Sequence, residues 1–307
     1  MTRYLITGAS GLLGLHLGWM LAGDNEVTGI GTVPVLYRLP FTFKSFDLSA
    51  PGSATTLINE TRPNVVFHCA AMAIVDSCEN QPETARRINA EVPGEIADAC
   101  RKNNARMVQI STDAVFDGVK GNYSEADTPN PLSIYAQTKL DGERAVQSLN
   151  PAALVARVNF FGWSLTGQRS LAENFVTTLS DGKTMNGFTD VYFCTLYVRQ
   201  LCKILVEMVD KGLEGLYHTV SSQNMSKYEF GVAIAKRFGL NPDLIQPIIV
   251  SQSGLKAARS PLLTLKVDKL TAALGHALPG QSDGLEEFYQ DWKAGWPVKM
   301  RGLLNEA

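Results

Sequence analysis

A tyrosine and a lysine stand four residues apart at Tyr135 and Lys139. On a helix this spacing places the two side chains on one face. A free tyrosine has a pKa of about 10, and a neighbouring ammonium group favours its ionised form, so the phenol could exchange protons nearer neutral pH. The spacing alone is weak evidence, because Tyr289 and Lys293 repeat it where we expect only a surface helix. The first pair therefore needs support from its surroundings.

Support comes from Thr112, which lies in Ile110-Ser111-Thr112-Asp113 at the carboxyl end of a predicted parallel strand. Open α/β sheets bind their ligands at this edge. Thr112 can hydrogen-bond a substrate carbonyl oxygen while Tyr135 donates a proton to it, and Lys139 can hold a cofactor ribose and tune the phenol. Together these roles predict reduction of a carbonyl group by hydride transfer. The alternative is that Ser111 and Thr112 only cap a turn.

A glycine-rich turn near the N-terminus predicts where a dinucleotide would bind. Gly8, Gly11 and Gly14 stand three residues apart, between an apolar strand that begins at Tyr4 and an apolar helix. The first glycine permits a tight turn, the second allows the backbone to approach a pyrophosphate, and the third lets helix and strand pack closely. The pyrophosphate would accept hydrogen bonds from N–H groups at the helix start. A glycine-rich turn without a ligand is the structural alternative.

Apolar runs alternate with helical patterns through the first half of the chain, which is typical of a parallel sheet covered on both faces. We therefore predict an α/β fold, a doubly wound parallel sheet of the Rossmann type with a second, smaller α/β substrate lobe. The dinucleotide-binding domain is predicted to cover residues 1–160 and about 190–220. The substrate-binding lobe then covers about 161–189 and 221–307.

Individual elements follow from periodicity and capping residues. Strands are predicted at Glu26–Gly31, Phe43–Phe46, Val65–Cys69, Met107–Ser111 and Leu154–Val158, and Gly215–Val220 should return to the same sheet. Helices are predicted at Ala54–Thr61, from Glu83 to about Asn104 with a bend near Pro93, and at Tyr135–Ser148 and Val198–Asp210; another begins at Ser226, which has Glu229 at capping-box spacing.

Composition and charge exclude several classes of function. The chain has 307 residues, 45% of them hydrophobic, and a net charge of −2, which argues against nucleic acid as a partner. No apolar run reaches the roughly 18 to 20 residues that span a membrane, and no signal-peptide pattern is seen, so we expect a cytoplasmic protein. The five cysteines lack CxxC spacing and are expected to be reduced and mostly buried. No metal is expected, because the four histidines, His16, His68, His218 and His276, show no ligand spacing.

Across nearly its whole length the chain resembles the extended short-chain dehydrogenases/reductases. Residues 7–14 match the family's glycine motif, and Thr112, Tyr135 and Lys139 fall on its catalytic positions. Within that family, residues 111–118 resemble a signature of the dTDP-4-dehydrorhamnose reductases. The likeness continues at Tyr123-Ser124-Glu125, at the turn from Pro129 to Pro131, at residues 139–143, at Asn174-Phe175-Val176 and at Ala258-Arg259-Ser260-Pro261.

The resemblance implies a reductase that uses NAD(P)H to reduce a keto group, expected at C4, on a nucleotide-activated deoxysugar. It also implies which residues line the site. The cofactor would contact Gly8, Ser10, Gly11, Leu12, Leu13, Asp47, Leu48, Cys69, Ala70 and Ala71 as well as Tyr135 and Lys139. The substrate would contact Val75, Asp76, Thr112, Asp113, Phe160, Asn174 and Arg259. A homodimer is possible.

The choice between NADP(H) and NAD(H) depends on the end of the second strand. An Asp or Glu there would hold the adenosine ribose and disfavour a 2′-phosphate, but residues 28–32 include neither. Arg38 lies close enough in sequence to reach a 2′-phosphate. We therefore favour NADP(H), with NAD(H) also possible. The alternative for Arg38 is an ordinary surface arginine.

Three residues depart from the reductase pattern. Ala114 stands where a tyrosine is usual and Phe160 where a tryptophan often lines the sugar pocket, which changes the surface that would stack on a sugar ring. Cys194 stands where a proline is usual before Thr195. The same signature, with Met225–Glu229, also resembles the regulatory subunit of methionine adenosyltransferase, so a dinucleotide-binding regulatory subunit is the alternative function. A nucleotide-sugar epimerase or dehydratase is a third; Asp113 is not followed by the glutamate expected in dehydratases.

Overall fold

The structure, a computed structural model, describes residues 1–32, 38–252 and 260–304. Its strands are β1 (Arg3–Thr7), β2 (Glu26–Gly31), β3 (Thr42–Ser45), β4 (Val65–His68), β5 (Arg106–Thr112), β6 (Leu154–Val158), β7 (Phe160–Phe161), β8 (Met185–Phe188), β9 (Tyr192–Phe193), β10 (Leu196–Tyr197), β11 (Gly215–Thr219), β12 (Met225–Ser226), β13 (Ile245–Ile248) and β14 (Leu262–Leu263). Its α-helices are α1 (Leu12–Leu21), α2 (Ser53–Thr61), α3 (Val75–Asn80), α4 (Pro82–Arg86), α5 (Val92–Lys102), α6 (Ile134–Leu149), α7 (Leu171–Ser180), α8 (Val198–Asp210), α9 (Lys227–Phe238), α10 (Asp268–Leu274), α11 (Gln281–Lys293) and α12 (Trp296–Gly302). A π-helical segment covers Arg87–Glu91, and short 3-10 turns cover Asp113–Val115, Pro242–Leu244 and Val250–Gln252.

Seven strands form one parallel sheet in the order β3-β2-β1-β4-β5-β6-β11. The strand order reverses between β1 and β4, which is the switch point where doubly wound sheets bind their ligands. The predicted doubly wound sheet is therefore confirmed, and so is the return of the strand that begins at Gly215. The carboxyl ends of β1, β4, β5 and β6 lie side by side at this edge.

Apolar residues of alternating orientation bury both faces of the sheet. Leu5 and Val66 pack on one face with helices α2 and α5, whereas Ile6 and Phe67 belong to the cluster of the other face with α1 and α8. A strand that is covered on both sides needs apolar residues at every position, which is why these strands are short continuous apolar runs. The result is a rigid platform for the loops at the carboxyl edge.

One predicted helix is divided in the structure. The segment expected to run from Glu83 to about Asn104 consists of α4, the π-helical segment and α5. Pro93 lies in the first turn of α5, where a missing N–H costs little, so the irregularity falls before the proline and not at it. Gly142 of α6 packs against this segment, because a Cβ at that position would lie 2.2 Å from the Asn89 carbonyl oxygen.

The remaining elements form small sheets and helices beside the main sheet. The small sheets pair β7 with β10, β9 with both β12 and β14, and β8 with β13. Capping boxes at Ser170/Glu173 and Ser226/Glu229 start α7 and α9, as predicted for the second of these. Among the described residues no helix is both long enough and apolar enough to cross a bilayer.

Candidate active site

The glycine turn between β1 and α1 has the geometry that a diphosphate-binding turn needs. Gly8 has a φ of +65°, and a Cβ there would lie 2.7 Å from the Ala70 nitrogen. A Cβ on Gly14 would lie 2.4 Å from the Gly8 carbonyl oxygen, so only glycine allows α1 to pack so close to the turn. Gly11 is the N-cap of α1, and no side chain of the described residues caps that helix start. The turn therefore fits a dinucleotide pyrophosphate at the helix N-terminus.

The three predicted catalytic side chains meet at the carboxyl edge of the sheet. Thr112 ends β5, and its hydroxyl lies close enough to the phenol of Tyr135, near the start of α6, to lower the pKa of that phenol. Ser133 accepts a hydrogen bond of 3.2 Å from the Ala136 N–H and so caps this helix. Lys139 lies one turn further along α6 and donates a 2.6 Å hydrogen bond to the Ile110 carbonyl oxygen. Phenol, hydroxyl and ammonium groups thus lie within one small region.

The pKa of Tyr135 shifts in the direction opposite to the one that the sequence predicts. Burial raises the pKa of Tyr135 to about 12, and the Thr112 hydroxyl offsets only part of this effect. Burial also lowers the pKa of Lys139 to about 8, opposed by the charge of Glu143. We expected Lys139 to lower the pKa of the phenol, but desolvation of the phenolate outweighs any such influence here. Tyr135 is therefore a protonated side chain at neutral pH and suited to donating a proton.

Asp113, which follows Thr112, is a second titratable group of the site. Its carboxyl group accepts hydrogen bonds from Asn159 Nδ2 (2.7 Å) and from the Thr112 hydroxyl (3.2 Å). Burial raises its pKa to about 6, while Asn159, Thr112 and the charge of Lys227 act in the opposite direction. The group therefore changes charge close to physiological pH.

The sequence analysis missed Asn159 and Lys227. Asn159 immediately follows β6, so the rule that pointed to Thr112 at the end of β5 applies to it equally. Lys227 begins α9, with its ammonium nitrogen 5.7 Å from the centre of the Phe188 ring, and its charge acts on Asp113. No local pattern signals such a contact, because it depends on how distant segments pack.

Asn89 is another residue that the sequence did not indicate. Its side-chain amide accepts a hydrogen bond from the Met72 N–H (2.9 Å) and donates to the Met72 carbonyl (3.0 Å) and to Thr138 Oγ1 (3.2 Å). It therefore connects the loop after β4 to α6, directly beside Lys139. The π-helical turn that holds Asn89 has no simple sequence signature.

The predicted cofactor residues surround the switch point to different degrees. Cys69 and Ala70 follow β4 and are half-buried, and the Ala70 N–H donates to Thr7 Oγ1 at 3.1 Å. Leu48 is buried, and Asp47 accepts a hydrogen bond of 2.8 Å from the Ser49 N–H. The turn members Ser10 and Leu12 are half-buried and Leu13 is buried, while Ala71 is exposed.

Arg38 lies at the margin of a segment that the structure does not describe. The residue is exposed, and its backbone has a φ of +55°. Residues 33–37, between the end of β2 and Arg38, lie outside the described part of the chain. Exposure leaves the guanidinium accessible to an anionic ligand, and its role in the choice of cofactor stays a prediction.

The predicted substrate residues come from five segments. Val75 and Asp76 begin α3, where Val75 is half-buried and Asp76 exposed. Phe160 is half-buried in β7, just after the end of β6, and Asn174 is exposed on α7. Arg259 lies outside the described residues. Thr112 and Asp113 of this set are joined by a hydrogen bond, and Thr112 lies beside the phenol. Contact between any member of the set and a substrate stays a prediction.

Three histidines hydrogen-bond groups of the fold, and the cysteines are largely buried. His16 bonds the Trp163 carbonyl at 3.0 Å, His68 bonds Thr7 Oγ1 at 2.7 Å, and His218 bonds the Lys266 carbonyl at 3.2 Å. The five cysteines are unpaired thiols, four of them buried and Cys69 half-buried, as predicted. In the described ranges no group of three or more His, Cys, Asp or Glu residues could hold a metal ion.

The second tyrosine and lysine pair lies elsewhere. Tyr289 and Lys293 are on α11, where the ammonium nitrogen is 5.9 Å from the centre of the ring. The Arg237 guanidinium packs over the same ring at 3.5 Å, and Lys293 is exposed. The expectation of a surface pair is therefore confirmed, and the position at the sheet edge distinguishes Tyr135 and Lys139.

The chain is similar to several known proteins. Residues 2–294 match the family described as RmlD substrate binding domain. The chain is 30% identical over 299 residues to the probable low-salt glycan biosynthesis reductase Agl14 of Haloferax volcanii, which covers 94% of this chain and 99% of that protein. It is 34% identical over 290 residues to the methionine adenosyltransferase 2 subunit beta of Pongo abelii, covering 90% and 84% of the two chains.

Solved structures of reductases have the same fold. A dTDP-4-dehydrorhamnose reductase from Clostridium acetobutylicum superposes with a TM-score of 0.83 at 27% identity, covering 95% of this chain and 99% of the other. A dTDP-4-dehydrorhamnose reductase from Bacillus anthracis in complex with NADP superposes with a TM-score of 0.82 at 25% identity, covering 94% and 99%.

Proposed function

Because this chain belongs to the RmlD substrate-binding-domain family, we propose that it is an NAD(P)H-dependent reductase of a keto group on a nucleotide-activated deoxysugar. The observation that carries the proposal is the grouping of Thr112, Tyr135 and Lys139 at the ligand-binding edge of the sheet, where Thr112 ends β5 and the other two lie one turn apart on α6. The similarity to named reductases supports the same reaction.

The chain's own residues would act on the substrate oxygen. A bound nicotinamide dinucleotide would supply the hydride that forms the new C–H bond. Tyr135 would donate its proton to the carbonyl oxygen as the C=O π bond breaks, and the Thr112 hydroxyl would orient that oxygen. The Lys139 ammonium group would stabilise the phenolate left on Tyr135 until it regains a proton from solvent. A high pKa keeps the phenol protonated before the reaction, so the group is ready as an acid.

The identities of cofactor and sugar form the finer part of the proposal. NADP(H) is supported by the lack of an acidic residue at the end of β2, by the accessible Arg38, and by the NADP in a related structure. A 4-keto nucleotide deoxysugar is supported by the names of the related reductases. The lobe boundaries given above, a homodimeric assembly and a cytoplasmic location stay predictions.

The test is a comparison of the parent protein with the Tyr135→Phe variant. NADPH and NADH oxidation is measured against a panel of 4-keto nucleotide sugars, and the Kd of each dinucleotide is measured by titration. We expect tighter binding of NADPH, turnover of at least one sugar by the parent, and a loss of about 100-fold or more in kcat in the variant. The variant should bind the dinucleotide as the parent does, since the phenyl ring keeps its packing. Parent-like turnover by Tyr135→Phe would show that another group donates the proton.

A second candidate is a dinucleotide-binding regulatory subunit. It is favoured by 34% identity to a methionine adenosyltransferase 2 subunit beta over 90% of this chain. The same panel separates the two candidates, because a regulatory subunit would bind dinucleotide and reduce none of the sugars. Such a subunit should also co-purify in fixed stoichiometry with a catalytic partner when it is isolated from its host.

A further inference from the structure

A buried ion pair lies directly behind the candidate catalytic groups. Glu143 of α6 accepts hydrogen bonds from Arg157 Nε (2.9 Å) and Nη2 (2.7 Å), so the arginine of β6 binds it in a bidentate manner. The Glu143 carboxylate also accepts a 2.5 Å hydrogen bond from the Ser111 hydroxyl. Both side chains of the ion pair are 3% exposed. The pair thus joins the helix of Tyr135 and Lys139 to the strand residue that precedes Thr112.

The Arg157 guanidinium also contacts an aromatic ring and a histidine, in addition to Glu143. Its guanidinium carbon lies 5.0 Å from the centre of the Phe116 ring, and Nη1 lies 3.5 Å from His218 Nε2. The backbone N–H of His218 donates a 2.9 Å hydrogen bond to Glu125 Oε1. A buried arginine that is fixed from all sides holds its carboxylate partner in one geometry, with little freedom for Glu143 to turn away from the active site.

Glu143 lies one helical turn after Lys139, on the same face of α6. The groups that face Lys139 are Glu143 on its own helix, Cys69 and His68 at the end of β4, and the Ile110 carbonyl of β5. Burial depresses the pKa of His68 to about 3 and raises that of Cys69 to about 12, so neither is charged near neutral pH. Glu143 is the carboxylate among these groups and favours the ammonium form.

We propose that Glu143, clamped by Arg157 and Ser111, is a positioning residue that keeps the buried Lys139 protonated and aligned with Thr112 for the reaction. The catalytic value of this role rests on the proposed function. The electrostatic role itself concerns only residues of this chain. Without Glu143, the largest influence that opposes burial at Lys139 would be lost, and the side chain would lose its proton at a lower pH.

The test measures the pKa of Lys139 in the ligand-free protein. With ¹³C-labelled lysine, the Cε resonance of Lys139 is followed by NMR across the pH range, and it is assigned by its absence in Lys139→Met. We expect Glu143→Gln to lower the pKa of Lys139 by about one unit. Because Glu143→Gln leaves Arg157 buried without its partner and can unfold the protein, the neutral pair Glu143→Gln/Arg157→Gln is examined beside it. This double variant should shift the pKa in the same direction by a smaller amount.

Glu173→Gln provides the matched control. Glu173 is a buried carboxylate of α7, 1% exposed, with hydrogen bonds from Ser164 and the Ser170 backbone. Its replacement should loosen the protein without moving the Lys139 pKa. An unchanged Lys139 pKa in a folded Glu143 variant would overturn the proposal, and so would an equal shift in Glu173→Gln.

The pKa measurement tests the role of Glu143 independently of the proposed reductase activity. If the parent protein reduces no sugar of the panel but the Lys139 pKa falls in the Glu143 variants, the reductase assignment fails and the electrostatic role stands. If the parent is active and the pKa does not move, the reductase assignment stands and Glu143 has only a structural role.

Discussion

The titration of the buried Asp113 carboxyl group makes the free energy of unfolding depend on pH. The pKa of its buried carboxyl group is raised from 3.8 to about 6, chiefly by burial. Between these two pH values the folded protein keeps a proton that the unfolded chain has released, so this group lowers the free energy of unfolding as pH rises. Above pH 6 the raised pKa lowers the free energy of unfolding by about 3 kcal/mol, because each pKa unit corresponds to about 1.4 kcal/mol.

Asp113→Asn should remove this pH-dependent decrease in the free energy of unfolding. The variant carries no charge at any pH, so its free energy of unfolding relative to the parent should rise by up to about 3 kcal/mol between pH 4 and pH 7. Urea unfolding of both proteins at these two pH values measures the change. Asp181→Asn serves as the control, because the Asp181 side chain is 51% exposed and pairs with Lys183 on the surface. A constant difference between Asp113→Asn and the parent at both pH values would contradict the assignment.

At the level of single residues, the sequence predicted which side chains meet but not their acidities. Thr112 and Tyr135 could be found because one ends a strand and the other starts a helix at the same sheet edge. The direction of the Tyr135 pKa shift depends on how completely the phenol is removed from water, and that depends on the packing of several segments. Asn159 was within reach of the strand-end rule, whereas the buried Arg157 partner of Glu143 required the topology of the sheet.

Among the elements, the contact between the glycine turn and α1 is the most sharply constrained. In Gly14→Ala the new methyl carbon would lie 2.4 Å from the Gly8 carbonyl oxygen and 2.9 Å from the Ala9 Cα, so the helix must move away from the turn. We expect a loss of about 2 kcal/mol in the free energy of unfolding, by overpacking. Dinucleotide affinity should fall at least about tenfold, because the N–H groups at the helix start move.

Gly23→Ala is the matched control for this change. Gly23 is exposed in the turn after α1, and a Cβ there would have no atom within 4 Å among the described residues. This substitution should change stability by no more than about 0.5 kcal/mol and leave dinucleotide binding intact. Equal binding by Gly14→Ala and Gly23→Ala would show that the pyrophosphate does not depend on this turn.

Element bounds were predictable where periodicity was strong and local. The strands Glu26–Gly31 and Leu154–Val158 and the helix Val198–Asp210 have the predicted bounds. The π-helical turn at Arg87–Glu91 was missed, because no local breaker marks it; the turn packs against α6 at Gly142. The two-residue strands of the second lobe were also missed; Tyr192–Phe193, for example, pairs with segments more than thirty positions later in the chain.

At the scale of the whole molecule, the alternation of strands and helices specified the topology because right-handed crossovers allow few other arrangements. The strand order and the return of β11 follow from that rule. The second lobe has no such rule, since its small sheets join segments that are far apart in sequence. The architecture of the main sheet was therefore predictable, whereas the small sheets beside it were predicted only as a region.

Three buried histidines with lowered pKa values should make the stability of the whole protein depend on pH below 6.5. Burial lowers the pKa of His16 to about 4, that of His68 to about 3 and that of His218 to about 4. The unfolded chain binds protons at these positions below pH 6.5, whereas the folded protein does not, so each histidine contributes stability that is lost as pH falls from 6.5 toward 4. We expect the free energy of unfolding to decrease steeply over this range.

His16→Gln isolates one of these contributions. Glutamine can keep a hydrogen bond to the Trp163 carbonyl but cannot be protonated. The stability lost between pH 7 and pH 4 should therefore be smaller than in the parent by about 3 kcal/mol, whatever the pH-independent cost of the new side chain. Chemical unfolding at a series of pH values measures this slope. His276→Gln is the control, because His276 is exposed and its pKa is raised by the Ala277 carbonyl and by Glu207, so its replacement should not reduce the stability lost toward pH 4. Parallel slopes for the parent and His16→Gln would mean that the pKa of His16 is the same in the folded protein and in the unfolded chain.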